Sequence, residues 1–204
     1  MRTKKGYSRR GFIRDVGLGS GAIGTGILEK DALAAPPAAG TVGPGPVPVT
    51  LRINGKVHQL SIEPRVTLLD AMRDRLDITS SKRSCDRGNC GACTVLMGGK
   101  AVNACSILAI DAQDKEIQTV EALGTPAKPH PLFVSFVRND AVQCGFCTPG
   151  FVLAAKALLD RNPHPTDEEI QRALGGNQCR CGAYTPLRKA VMEAAQSMKG
   201  VRRA

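Results

Sequence analysis

The residues best equipped for chemistry in this chain are its eight cysteines, which fall into two sets of four. The first set is Cys85-x4-Cys90-x2-Cys93, with Cys105 following after 11 residues. The second is Cys144-x2-Cys147 and Cys179-x1-Cys181, with 31 residues between the two pairs. Four thiolates converging on two irons hold a [2Fe–2S] cluster, and the spacing of the first three cysteines is the plant-type ferredoxin run. Such convergence needs three ligands from one tight loop. Gly88 and Gly91 let that loop curl and let backbone N–H groups point at sulfur, which stabilises added negative charge. In the second set, Cys147 stands just before Thr148-Pro149 and Cys181 four residues before Thr185. Two helix N-termini would then face the thiolates, and their partial positive ends favour an anion.

Three other uses compete for the same cysteines: four disulfides, zinc in either quartet, or fillers of the core. Two quartets, however, use every cysteine and leave none over. A Cys-x1-Cys pair is also awkward in a disulfide knot and less usual for zinc than Cys-x2-Cys.

The segments around the cysteines set where they can go. Val49-Thr50-Leu51-Arg52-Ile53 alternates, Asn54-Gly55 is a strong two-residue hairpin signal, and Val57 to Ile62 alternates again. Thr67 can cap a helix through Asp70 to Leu76, with Leu68, Leu69, Met72 and Leu76 at helical spacing. The first cysteine loop follows. Thr94 to Met97, Gly98-Gly99 and Ala101 to Ala104 read as a second hairpin, and Ile117 to Val120 as a last strand. Two hairpins and a helix make a small β-grasp-like domain over residues 49–121.

After a linker at 122–130 the period changes to 3.6. Four helices are expected in residues 131–204: Pro131 to Arg138, Thr148 (as N-cap) to Asp160, one opened by the Thr166-Asp167-Glu168-Glu169 capping box and stopped at Gly175-Gly176, and Thr185 to about Met198. The halves carrying Cys144/Cys147 and Cys179/Cys181, each followed by Thr-Pro, read as a duplicated helix pair that brings two cysteines from each half to one centre. The fold class is therefore α+β, a β-grasp domain followed by an all-α four-helix domain.

Ser8-Arg9-Arg10-Gly11-Phe12-Ile13-Arg14 resembles a twin-arginine export signal and precedes a weakly apolar run from Val16 to Leu28. That run is 13 residues long, short of the roughly 20 a spanning helix needs, so it reads as a signal region and not an anchor. Ala32-Leu33-Ala34 offers a cleavage site. Residues 1–34 are expected to be a signal peptide removed on export, and 35–48, of Ala, Pro, Gly, Thr and Val only, an extended linker. Export of a folded protein suits a cofactor inserted in the cytoplasm, and the expected destination is the periplasm.

Composition fits this division. The net charge is +10 over 204 residues, of which +4 lies in residues 1–34. Two oxidised [2Fe–2S] sites, each −2 with its four thiolates, would take the remaining +6 to about +2. With aromatics at 3% and no Trp, there is little to stack on bases, which argues against nucleic-acid binding. His58, His130 and His164 are scattered and read as solvated or core histidines. No nucleophile, acid–base pair or flavin fold is recognisable.

Ser84-Cys85-Asp86-Arg87-Gly88-Asn89-Cys90-Gly91-Ala92-Cys93-Thr94-Val95, Gln143-Cys144-Gly145-Phe146-Cys147-Thr148-Pro149-Gly150 and Gly176-Asn177-Gln178-Cys179-Arg180-Cys181 together resemble the two-cluster iron–sulfur subunit of the xanthine oxidase family of molybdenum hydroxylases. The resemblance covers residues 49 to about 198. The twin-arginine segment and Cys181-Gly182-Ala183-Tyr184, in place of the commoner Cys-Thr-Gly-Tyr, look most like the periplasmic aldehyde oxidoreductase branch. Ser84 stands where the family often has Gly.

The resemblance implies a large partner subunit carrying a molybdenum–pterin centre and a medium subunit carrying FAD, in a heterotrimer. It implies that Cys144, Cys147, Cys179 and Cys181 receive electrons first, that Gln143 and Cys181 lie against the pterin, and that Cys85, Cys90, Cys93 and Cys105 pass electrons on to FAD. This chain would be a non-catalytic electron-transfer subunit of an aldehyde-oxidising complex. An N-heterocycle hydroxylase with a cytochrome acceptor and a free two-cluster ferredoxin are the alternatives.

Overall fold

The computed structural model describes residues 8–14 and 43–201. The apolar run from Val16 to Leu28, the Ala32-Leu33-Ala34 site and most of the 35–48 linker lie outside the described residues. The chain divides into two units, Met1–Gly43 and Pro44–Ala204. In the first, residues 9–14 are helical, and Ser8 Oγ accepts from the Gly11 N–H at 3.1 Å.

The second unit begins with a five-stranded mixed sheet in the order β2-β1-β5-β3-β4. β1 (Val47–Ile53) and β2 (Lys56–Ile62) form the first hairpin, in register from Val47 opposite Ile62 to Ile53 opposite Lys56. Alternation does what it must: Val49, Leu51 and Ile53 are buried while Thr50 and Arg52 between them are exposed. β3 (Thr94–Met97) and β4 (Lys100–Asn103) form the second hairpin, and β5 (Glu116–Gln118) runs between the two, parallel to β1 and antiparallel to β3. Leu68, Leu69, Met72, Val95 and Ile117 close the core over the sheet. Each such side chain contributes roughly 1.5–3 kcal/mol by leaving water.

Three local readings change. The helix expected from Thr67 to Leu76 is α-helical only over α1 (Leu68–Asp70) and continues as a π-helix over Ala71–Arg75. Apolar residues four apart suit a turn of 3.6 residues and a wider one equally, so the pattern could not separate them. The Thr67 side chain does cap it, accepting from the Asp70 N–H at 3.1 Å. The last strand ends at Gln118, short of Val120, because Asn54 takes over the pairing: its Oδ1 accepts from the Thr119 N–H at 2.8 Å and its Nδ2 donates to Thr119 Oγ1 at 2.9 Å. Ala104, expected to end the second hairpin, instead opens a 3-10 turn over Ala104–Ser106 directly after β4, and Cys105 sits on that turn.

The second part is helical: α2 (Pro131–Arg138), α3 (Thr148–Arg161), α4 (Asp167–Leu174) and α5 (Tyr184–Val201). Phe136, Phe151, Leu153, Ile170, Leu187 and Val191 fill its core. Leu96 of β3 belongs to that core too, so sheet and helices share a packed boundary. The capping box is present: Thr166 Oγ1 accepts from the Glu169 N–H at 3.2 Å and Glu169 Oε2 from the Thr166 N–H at 2.7 Å. Thr148, by contrast, is not an N-cap. Cys147 holds that position with no side-chain cap, and the Phe151 N–H bonds back to the Cys147 carbonyl at 3.2 Å. Likewise α5 begins at Tyr184 instead of Thr185, with the Leu187 N–H on the Ala183 carbonyl at 3.0 Å. Among the described residues no helix is long and apolar enough to cross a membrane.

Candidate iron–sulfur centres

None of the eight cysteines is in a disulfide, and the fold brings each quartet together as two pairs. In the β-grasp loop Cys85 lies beside Cys90, and Cys93 beside Cys105. In the helical part Cys144 meets Cys181, and Cys147 meets Cys179. Each of these two pairs takes one cysteine from each half. Among the described residues no three Cys, His, Asp or Glu side chains gather in a mononuclear metal site. Pairs of thiols suit a two-iron cluster, in which each iron takes two thiolates and shares bridging sulfides. A zinc ion needs all four around one point.

The loop from Cys85 to Cys93 is bent by left-handed backbone at Asp86, Gly88 and Gly91. Its amides point inward: the Arg87 N–H lies 3.5 Å from Cys85 Sγ and the Gly88 N–H 3.2 Å from Cys105 Sγ. The Arg87 amide and the Cys90 thiol lower Cys85 to about 7, while burial, with Cys105 close by, pushes Cys93 up to about 12. The amides directed at sulfur fit an anionic cluster, whose negative charge they stabilise.

The helical centre is built by the same logic on other elements. The Phe146 N–H, then the Cys181 thiol, lower Cys144, and burial pushes Cys147 up to about 12. Burial also opposes charge on Cys179, but amides led by that of Ala183, 3.5 Å from the sulfur, outweigh it and lower the thiol. Cys147 stands at the start of α3, where the helix's unpaired amides are. Cys144 and Cys181 are exposed, as are Gln143 and Phe146, so this centre opens on the surface of the chain.

One strip of chain ties the two centres together. The Gln178 N–H donates to the Cys90 carbonyl at 2.9 Å, and Gln178 immediately precedes Cys179. Buried Asn177 donates from Nδ2 to the Gly91 carbonyl at 2.8 Å and to Thr94 Oγ1 at 3.2 Å. Close approach is possible because Gly91 lacks a side chain: a Cβ there would lie 2.5 Å from Asn177 Nδ2. Tyr184 braces the same strip from the other side, its hydroxyl accepting from the Cys179 N–H at 3.0 Å and its ring set edge-on to Phe151.

The sequence reading assigned no role to Asn177, Gln178 or Tyr184, although all lie within or beside the third motif. Their partners are 83 and more residues away for Asn177, and no periodicity reports such contacts. Of the three histidines, His130 has a definite task, its Nδ1 accepting from the Leu132 N–H at 3.2 Å to cap α2.

Fold and centres together define a two-centre iron–sulfur protein, and known proteins agree. Residues 51–123 match the family model described as a 2Fe-2S iron-sulfur cluster binding domain, and residues 119–192 the one described as a [2Fe-2S] binding domain. The aldehyde oxidoreductase iron-sulfur-binding subunit PaoA of Escherichia coli K12 is 41% identical over 188 residues, 85% of this chain and 82% of that one. The nicotinate dehydrogenase small FeS subunit of Eubacterium barkeri is 45% identical over 150 residues, 74% of this chain and 96% of that one. The structure of quinoline 2-oxidoreductase from Pseudomonas putida 86 superposes with a TM-score of 0.72 at 36% identity, covering 76% of this chain and 97% of that one. The chain belongs to the two-[2Fe–2S] iron–sulfur subunits of the xanthine oxidase family of molybdenum hydroxylases. Membership implies a large molybdenum-bearing partner subunit.

Proposed function

We propose that this chain is the electron-transfer subunit of a periplasmic molybdenum-dependent aldehyde oxidoreductase, passing electrons from a molybdenum–pterin centre on a large subunit, through two [2Fe–2S] clusters, to FAD on a medium subunit. Cys144, Cys147, Cys179 and Cys181 hold the entry cluster, with Gln143 and Cys181 against the pterin. Cys85, Cys90, Cys93 and Cys105 hold the exit cluster. Bound there, each cluster supplies reversible one-electron chemistry. The chain's own residues space the centres, bury Cys93, Cys105 and Cys179, and aim amides at sulfur.

The observation that carries this reading is the Gln178 N–H to Cys90 carbonyl bond, which links the backbone of one quartet to that of the other without intervening solvent. The exposure of Cys144 and Cys181, beside exposed Gln143 and Phe146, supports entry from a partner seated over the helical centre. The aldehyde reading is supported by the relative that matches 85% of the chain, against 74% for the nicotinate dehydrogenase subunit. The Ser8-Arg9-Arg10 segment supports export by the twin-arginine route.

A second reading, an N-heterocycle hydroxylase with a cytochrome acceptor, draws on the higher 45% identity to the nicotinate dehydrogenase subunit. Purification of the complex from the periplasmic fraction separates the two. Flavin and aldehyde turnover are expected; covalent haem with turnover of an N-heterocycle and no flavin would establish the second. The chain itself should carry four irons and four acid-labile sulfides and show two distinct EPR signals on reduction. One signal, or half the iron, would sink the two-cluster assignment.

A further inference from the structure

Among the described residues, Cys105 is the cysteine with a side-chain hydroxyl beside its sulfur: Ser106 Oγ lies 3.7 Å from Cys105 Sγ. The Gly88 N–H donates to the same sulfur at 3.2 Å. Gly88 makes room for both, because a Cβ at that left-handed position would fall 2.6 Å from Ser106 Oγ. Asn103 fixes the arrangement from behind, donating from Nδ2 to the Gly88 carbonyl at 2.7 Å. A metal-bound thiolate has no proton to give, so in the Ser106–Cys105 contact the hydroxyl is the donor.

We infer that Ser106 is a positioning residue for electron transfer, whose O–H···S bond to Cys105 raises the reduction potential of the β-grasp centre relative to the helical one. The inference rests on the reading that Cys85, Cys90, Cys93 and Cys105 hold a [2Fe–2S] cluster. Reduction adds one electron, and the added negative charge is shared by the thiolates. A hydrogen bond to a thiolate is therefore stronger in the reduced state, and the proton stays on Ser106 throughout. Among the described residues, the sulfur contacts that reach the helical quartet from outside it are backbone amides, such as that of Ala183 on Cys179. The hydroxyl thus acts on one centre and biases sharing of an electron toward it.

The experiment is an EPR-monitored redox titration of the full chain, with Ser106→Ala, Ser106→Gly and Ser106→Thr beside the unaltered protein. Ser106 is exposed, so removing its hydroxyl opens no core. At a fixed ambient potential, Ser106→Ala and Ser106→Gly should each lower the reduced-to-oxidised ratio of the β-grasp centre by roughly threefold, as expected when a hydrogen bond that is stronger in the reduced state by a fraction of its worth is removed, while the helical centre is unchanged. Ser106→Thr, which keeps a hydroxyl, should titrate like the unaltered chain. Unchanged midpoints in both hydroxyl-free variants, or a common shift of both centres, would overturn the role of Ser106. An unaltered chain with a single EPR species would overturn the two-cluster reading and this inference with it.

Discussion

Gln178 donates its backbone N–H to the carbonyl of Cys90 at 2.9 Å, so a residue adjoining Cys179 is hydrogen-bonded to a cysteine of the other quartet. The contact is held by its neighbours. Asn177 reaches into the β-grasp loop on one side, and Gly150 of α3 packs against the Gly91 carbonyl on the other. The two iron–sulfur regions are thereby one packed unit, and the cysteine loops themselves form the joint.

Asn177→Ala removes both hydrogen bonds to that joint from a residue only 7% exposed. A loss of roughly 1–3 kcal/mol of stability is expected, read as a lower denaturant midpoint at unchanged slope. A midpoint within error of the parent would mean that the joint is held by packing alone.

Gly150→Ala is expected to be worse. A Cβ at Gly150 would overlap the backbone carbonyl oxygen of Gly91, which has no rotamer to swing away. Overpacking of this kind costs about 1–3 kcal/mol or more, and the sheet and the helices must part to relieve it. Limited proteolysis should cut between residues 123 and 131 of this variant sooner than in the parent.

Single ligand removal should separate the centres. Cys93→Ser should abolish one EPR signal and about half of the iron, and Cys147→Ser the other signal and the other half, because each cysteine pairs only within its own quartet. Loss of the same signal in both variants would contradict the division into two quartets.

His130 makes stability depend on pH. Burial, with the Lys156 ammonium nearby, holds its imidazole below the ordinary range. Between that depressed value and an unfolded value of about 6.5, the unfolded chain binds more protons than the folded one, so stability is full above about pH 6.5 and falls as the pH drops through the window. Protonation also removes the Nδ1 acceptor that caps α2. His130→Asn keeps a cap acceptor without titrating, and its melting temperature should therefore fall less than the parent's between about pH 7.5 and pH 5.

Much of the candidate site was legible along the chain because thiolate spacing and turn chemistry are local. Cys85-x4-Cys90-x2-Cys93 needs one loop, and Asn54-Gly55 needs one turn. The capping box at Thr166 and Glu169 is equally a matter of four consecutive residues. Element ends were less legible wherever a distant side chain replaced a local partner, as Asn54 does at Thr119 and so ends β5 early.

The two quartets, the domain type that carries each, and the family all follow from residue types at fixed offsets along the chain. How the quartets divide into pairs, with Cys93 beside Cys105 and Cys147 beside Cys179, emerges from the folded chain alone. The same holds for Cys147 standing at the N-cap of α3, and for Asn177 and Gln178 joining the two loops. The reason is physical: each of these depends on which surfaces meet when the sheet and the helices bury Leu96 between them, and that meeting has no periodicity in one dimension.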